Sequence, residues 1–442
     1  MARAHVPAAP APRNLRRTAR MRFTGRGRLT LACGAAGVVL AYAIGRSEIL
    51  VVAVAAILLP VVGRVVARVR RPRLEVLRVF APPVAVAGDT VRVAMRIRNA
   101  AGSTSTALHW NDAIPWPGDA APHPLAPIGV GSPATRVRTV AYELEPPRRG
   151  VYAIGPLVVE NHDPFGMAAS VAAVGAQDRL VVVPAIGGLA SGGPTLADGE
   201  GIAQLVQRRV AGNDDDLTTR EYRAGDALRR VHWRASARHG ELMVRQEEHR
   251  SHPEARLVLD TRLGGYPDAR SDDGTTWDAS ASSEAFEWVV RMTASLGIHL
   301  ESAGFDVTVE ETGPAQIDPL GERWEGAQRA EGFLASLAAV RLLDRPAAEL
   351  AVAPADAPGP LFAMIGDPEE ATLDWLARRR RGAELAIVFA VQARTEALEQ
   401  LAGAGWTCVP VTPDAAPADA WRAVAEVSTR PDLDGRVAHG AH

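Results

Sequence analysis

The residues with the most chemistry to offer lie in one stretch, Arg220 to Glu248 (REYRAGDALRRVHWRASARHGELMVRQEE), where arginines alternate with Trp233, two histidines and several acids. Its guanidiniums could pair with Glu221, Asp226, Glu241, Glu247 and Glu248 as an internal ion network. Facing outward instead, they could dock an acidic partner or a phosphate, which suits the planar guanidinium fork. Catalysis is the third possibility, but His232 has no nucleophile close in sequence beyond Ser236, so a triad is unsupported and no catalytic residue is assigned. The chain contains no lysine, so all 49 basic residues are arginine. That excludes Schiff-base chemistry and a phosphate-loop lysine. A GC-rich genome, which also favours Ala, Gly and Pro, accounts for the bias.

Several elements must position this stretch. Gly225 and Asp226 read as a turn, Leu228 to Ala237 as a short helix and Leu242 to Gln246 as a strand. Arg229 and Trp233, four residues apart on that helix, share one face. Upstream, residues 73–186 alternate in short runs such as Thr90 to Asn99 and Thr135 to Glu145, punctuated by Pro and Gly, which predicts an antiparallel β-sandwich. A Gly-rich linker over 187–219 joins it to the motif at 220–250. From 255 to 430 apolar strands (256–260, 306–310, 361–366, 384–391, 407–411) interleave with amphipathic helices (283–303, 326–342, 369–381, 395–402, 418–428). This predicts a mainly parallel, doubly wound α/β sheet, and residues 431–442 read as a disordered tail.

At the other end lie two charge-free runs, Leu29 to Gly45 and Ile49 to Gly63, with Arg46, Ser47 and Glu48 between them. A single helix through both would put Arg46 and Glu48 near mid-bilayer, at about 2.5 to 3.5 kcal/mol per charge. A transmembrane hairpin over 29–66 is therefore expected. Arg13, Arg16, Arg17, Arg20, Arg22, Arg26 and Arg28 precede it, within a basic segment 1–28, and Arg64, Arg68, Arg70, Arg71 and Arg73 follow. The positive-inside rule then places both termini and the soluble domains in the cytoplasm, making this a multi-pass cell-membrane protein. Both runs are short for a core of about 30 Å, so snorkelling, thinning or oligomerisation is expected. A cleaved signal peptide ending near Ala41, Tyr42 and Ala43 is the competing reading, and the second apolar run argues against it. Cys33 and Cys408 imply neither a disulfide framework nor a thiolate metal site. A net charge of -2 predicts no nucleic-acid partner.

The motif contains Arg220, Glu221 and Tyr222, then Gly225 and Asp226, Arg229 and Trp233, and Ala237, Arg238, Gly240 and Leu242. A second stretch, Arg148 to Met167, carries Arg149, Gly150 and Tyr152 followed by Asp163, Pro164, Phe165 and Gly166. Together these resemble the bacterial domain-of-unknown-function 58 family. The resemblance implies a membrane hairpin, a sandwich and a C-terminal domain similar to von Willebrand factor A domains. It also implies genes placed beside MoxR-type AAA+ ATPases, and hence a chaperone-like or complex-assembly role.

Von Willebrand A domains bind Mg²⁺ through Asp-x-Ser-x-Ser after the first strand, since a hard cation wants carboxylate and hydroxyl oxygens. The matching segment here is Asp260, Thr261, Arg262, Leu263 and Gly264, in which Arg262 and Gly264 replace the two hydroxyls. A guanidinium about 4 Å from a cation adds repulsion on the order of 4 kcal/mol per unit charge. Asp367, after the strand 361–366, stands where a second carboxylate could approach. The expectation is a degenerate site with no metal and no cofactor, filled by Arg262 paired with Asp260 or Asp367. The function expected from these features is a membrane-anchored scaffold or adaptor, not an enzyme, that binds other proteins, a MoxR-type AAA+ ATPase among them. The alternative is a ligand-binding module using the cleft of the α/β domain. A hydrolase would need a nucleophile elbow, a His-rich metal motif or a phosphate loop, and the sequence has none of these.

Overall fold

The computed structural model describes residues 20–69, 72–116, 122–190, 219–221, 236–238, 240–241, 243–245, 253–270, 283–317, 327–344 and 359–428. Tyr222, Gly225, Asp226, Arg229 and Trp233 of the motif lie outside them, as do the tail 431–442 and all of the linker between 191 and 218. The chain divides into two compact units, the first of Met1–Val183 with Gly274–Asp278 and the second of Pro184–Asp273 with Ala279–His442.

The first unit opens with strand β1 (Arg20–Phe23), which runs directly into helix α1 (Gly25–Ile44). The Thr24 hydroxyl caps α1 by accepting the Gly27 N–H at 3.2 Å. Gly45 ends the helix in the left-handed conformation, at φ 74°. Helix α2 (Ser47–Val69) returns, with Glu48 in its first turn and Arg68 in its last, both favourable to the helix dipole. The two helices touch closely because Gly34 carries no side chain, and a Cβ there would stand 2.7 Å from Ile57 Cγ1. Each helix is long and apolar enough to cross a membrane. The 20 and 23 residues of the helices continue past the charge-free runs, which stay as short as expected, and include Arg26, Arg28, Arg64 and Arg68. At 1.5 Å per residue that gives about 30 and 35 Å.

Ten strands follow: β2 (Leu74–Ala81), β3 (Val84–Val86), β4 (Val91–Asn99), β5 (Leu108–Asp112), β6 (His123–Leu125), β7 (Val137–Leu144), β8 (Gly150–Ile154), β9 (Leu157–His162), β10 (Ala168–Val174) and β11 (Asp178–Val183). A single helical turn, α3 (Pro133–Arg136), precedes β7. Val91, Val93, Met95 and Ile97 of β4 are buried while Arg92, Arg96 and Arg98 are exposed, as the period of two demands. The strands form sheets in the orders β1-β10-β9-β5-β6, β2-β4-β7 and β3-β11-β8. All three contribute to one core that includes Met95, Trp110, Leu157 and Leu180. Within it the guanidinium of Arg78 on β2 donates Nε to Asp112 Oδ2 at 2.8 Å and Nη2 to Asp112 Oδ1 at 2.6 Å. Its Nη1 reaches the Ala176 carbonyl and Asp178 Oδ2, each at 2.9 Å.

In the second unit, short strands β12 (Thr219–Glu221) and β13 (Met243–Arg245) pair antiparallel. Five parallel strands follow: β14 (Glu254–Leu259), β15 (Asp306–Glu311), β16 (Pro360–Ile365), β17 (Leu385–Val391) and β18 (Thr407–Val411), in the order β15-β14-β16-β17-β18. Five helices accompany them: α4 (Glu284–Ser302), α5 (Ala327–Ala339), α6 (Glu370–Arg380), α7 (Thr395–Gly403) and α8 (Pro417–Ser428). Leu257 and Leu259 pack with Trp288 of α4, Leu337 of α5 and Trp421 of α8. Val258 and Leu361 pack on the other face with Leu376 of α6 and Leu398 of α7. Helices on both faces of a parallel sheet make this the expected doubly wound architecture, and both faces of its strands are apolar for that reason.

Candidate functional site

The winding of the sheet reverses between β14 and β16, and the carboxyl ends of two such strands frame the crevice where open α/β sheets bind ligands. Asp260 follows β14 and Asp367 follows β16. Their loops meet backbone to backbone, the Asp367 N–H donating to the Gly265 carbonyl at 2.7 Å. Gly366 permits this approach, because a Cβ there would lie 2.1 Å from the same oxygen. Gly264 and Gly265 are needed too: a Cβ on the first would strike Glu369, and one on the second would lie 2.6 Å from Asp260 Oδ2.

Asp260 is buried. Its Oδ1 accepts the Thr312 hydroxyl at 2.5 Å and the Arg262 backbone N–H at 3.3 Å, and its carbonyl accepts the Tyr266 hydroxyl at 2.7 Å. Burial pushes its pKa up from 3.8 to about 6, against the opposing pull of the Thr312 hydrogen bond and the Arg262 N–H.

The expected pairing of Arg262 is corrected on both counts. Its guanidinium donates to the Thr372 hydroxyl at 3.1 Å and to Glu369, not to Asp260 or Asp367. Asp367 is taken by Arg394, whose Nε donates to Oδ1 at 3.0 Å and whose backbone N–H reaches the same oxygen at 3.1 Å. The physical reason is desolvation. Pairing with Asp260 would bury two charges together, whereas Glu369 at the start of α6 is 47% exposed and keeps much of its hydration. Thr312, Glu369, Thr372 and Arg394 were not singled out in the sequence. The signal was faint: an acid at a helix start and an arginine just before another helix.

A magnesium ion of the von Willebrand A kind does not fit these residues. Asp260 Oδ1 already accepts two donors, and the two positions where hydroxyl ligands would be needed hold Arg262, whose guanidinium is turned to Thr372 and Glu369, and Gly264, packed against Glu369. Among the described residues, no group of three or more His, Cys, Asp or Glu side chains is placed to hold a metal.

Of the motif, Arg220 and Glu221 lie on β12, in register with Val244 and Met243 of β13. Residues 236–238 form a helical turn, on which Ala237 and Arg238 are exposed. Gly240 closes the turn at φ 77°, and the Ser236 hydroxyl accepts the Met243 N–H at 2.8 Å. β13 falls within the strand expected over Leu242 to Gln246, whereas β12, only three residues long, was not expected, nor was its pairing with β13.

The fold and site define a doubly wound α/β unit with a buried carboxyl at its switch point, joined in sequence to a β domain bearing an apolar helical hairpin. A family model described as protein of unknown function DUF58 matches residues 218–273, from β12 through Asp260 and Arg262. No curated protein matches the chain. Among solved structures, the CARDB domain of a Pyrococcus furiosus protein aligns at 11% identity, covering 25% of this chain and 92% of that one, with a TM-score of 0.17. A crystal structure of that domain with di-metal ions aligns at 13% identity over 26% and 88% of the two chains, TM-score 0.17. A Paenibacillus cycloisomaltooligosaccharide glucanotransferase aligns at 13% identity over 77% and 53%, TM-score 0.19. Scores this low define neither fold nor function.

Proposed function

We propose that this chain is a DUF58-family scaffold or adaptor, anchored in the cell membrane by its hairpin, that presents interaction surfaces in the cytoplasm to a MoxR-type AAA+ ATPase. The observation that carries the reading is the joint between hairpin and β domain. β1 pairs with β10 and passes into α1 after one residue, Thr24, whose N–H donates to the Met167 carbonyl at 3.0 Å. An anchor built into the domain it carries suits a protein that holds partners at a surface. The exposed Arg238 suits the docking role of the motif, and the α/β unit, with Asp260 after its first long strand, is in keeping with a von Willebrand A-like domain whose metal site has been lost. Full-length protein in lipid nanodiscs, presented with a purified MoxR-type ATPase, should bind saturably and more weakly as Arg238→Glu. Absence of binding in every nucleotide state would refute the partner assignment.

A second reading is a ligand-binding module at the crevice, favoured by the convergence there of Asp260, Arg262, Asp367 and Arg394. Under it, small anions or sugars would raise the unfolding temperature of the wild type and not of Arg262→Ala.

A further inference from the structure

The loop Asp163-Pro164-Phe165-Gly166 is built as a rigid turn at the foot of the hairpin. Asp163 is buried, and its two oxygens accept the Phe165 N–H at 3.0 Å and the Ala168 N–H at 2.6 Å. The Gly166 N–H donates to the Asp163 carbonyl at 2.9 Å. Both helices are seated on this turn through glycine. A Cβ on Gly27 of α1 would lie 2.1 Å from the Met167 carbonyl oxygen, and one on Gly63 of α2 would lie 2.8 Å from Asp163 Oδ2. The Thr24 hydroxyl donates to the Gly166 carbonyl at 2.6 Å.

The height of the turn along the helices follows from these contacts. Gly63 is the last residue of the charge-free run of α2, and Gly27 stands two residues before that of α1. The turn therefore lies level with the edge of the apolar band. At that level Phe165 is 55% exposed and Pro164 is exposed beside it, while Arg26, Arg28 and Arg68 are exposed on the adjoining helix turns. Arg64 lies over the Phe23 ring at 5.2 Å from its centroid. An apolar tip level with exposed arginines on the adjoining helices is an arrangement that enters the boundary between headgroups and acyl chains, the ring below the phosphates and the guanidiniums on them. Because the turn is already fixed, insertion costs little ordering entropy.

We propose that Pro164 and Phe165 form an interfacial lipid anchor, which sets the foot of the β domain into the leaflet that the hairpin enters. This rests on the reading that the hairpin spans the bilayer, and the test separates the two. In a Cys33→Ser, Cys408→Ser background, a bimane fluorophore is attached to a cysteine at position 165, 139 or 40 of the full-length protein. The protein is then placed in vesicles of phosphatidylethanolamine and phosphatidylglycerol containing lipids brominated near the headgroup or near the chain end. The label at 165 should be quenched several-fold more by shallow bromines than the label at 139, on exposed β7. The label at 40, in α1, should respond to deep bromines. Moving the label to 164 and adding Phe165→Asp should reduce the shallow quenching.

Quenching at 40 without quenching at 165 would overturn the anchor and leave the hairpin standing. Loss at both positions would remove the hairpin reading with it. A label at 165 that is blue-shifted yet indifferent to bromine would mean a protein contact, such as a second copy, and would also overturn the proposal.

Discussion

Asp260 is a carboxyl that water does not reach, and its proton has thermodynamic consequences. Its folded-state pKa of about 6 exceeds the ordinary 3.8, so between about pH 4 and 6 the folded state holds a proton that the unfolded state has lost. Stability contributed by this group therefore rises as pH falls through that window, by about 3 kcal/mol at most, and above pH 6 the ionised form costs that amount. Asp260→Asn should flatten the profile. Unfolding temperatures of the two proteins measured from pH 7 to pH 4 should converge towards the acid end, and parallel profiles would sink the assignment. Arg256 on β14 poses the opposite problem, since it is buried and none of its three guanidinium nitrogens has a hydrogen-bond partner among the described residues. Nearby, Arg379 pairs with Glu310 at 3.1 Å, and its pKa is lowered chiefly by burial, with a further push from Arg256. Arg256→Met should be neutral or stabilising by about 1 to 4 kcal/mol. A clear loss of thermal stability would mean that a counter-charge serves Arg256 after all.

Among the elements, the β domain depends on one cross-brace. Arg78 of β2 joins Asp112 of β5 and the turn before β11, so a single guanidinium ties strands of all three sheets, and Tyr142 of β7 donates its hydroxyl to the same Asp112 at 2.6 Å. Burial, reinforced by Asp112, raises the Tyr142 pKa and keeps the hydroxyl a donor. Asp112→Ala should cost about 3 to 5 kcal/mol, because it strands a buried guanidinium. Asp178→Ala should cost less, its side chain being 37% exposed. Denaturant titration of both variants checks this, and equal losses would show that the burial argument is wrong. This brace was not legible in the sequence, where Arg78, Asp112 and Asp178 are scattered among many similar residues and only the folded register brings them together. The α/β elements were legible almost residue by residue. Strands such as Leu385–Val391 are apolar on both faces, and helices such as Glu284–Ser302 carry a clear apolar stripe. At the crevice, Asp260 and Asp367 could be placed by their position after strands, but the choice of Glu369 by Arg262 could not. That choice depends on differences in hydration between carboxylates, which spacing does not encode.

For the whole molecule, the proposed membrane reading together with the arginines at both feet of the hairpin predicts that both termini share the cytoplasm. A fluorescent-protein fusion at the C-terminus should fluoresce and an alkaline phosphatase fusion should be inactive; the reverse pattern would refute the orientation. The direct passage of β1 into α1 has a mechanical corollary. Helices of about 30 and 35 Å meet a thinner bilayer by tilting, and here there is no slack segment between α1 and the strand paired to β10. Within this unit, a lean of the helices is carried to the sheet edge as a torque, so on the proposed membrane reading the angle at which the β domain stands above the lipid is a function of membrane thickness.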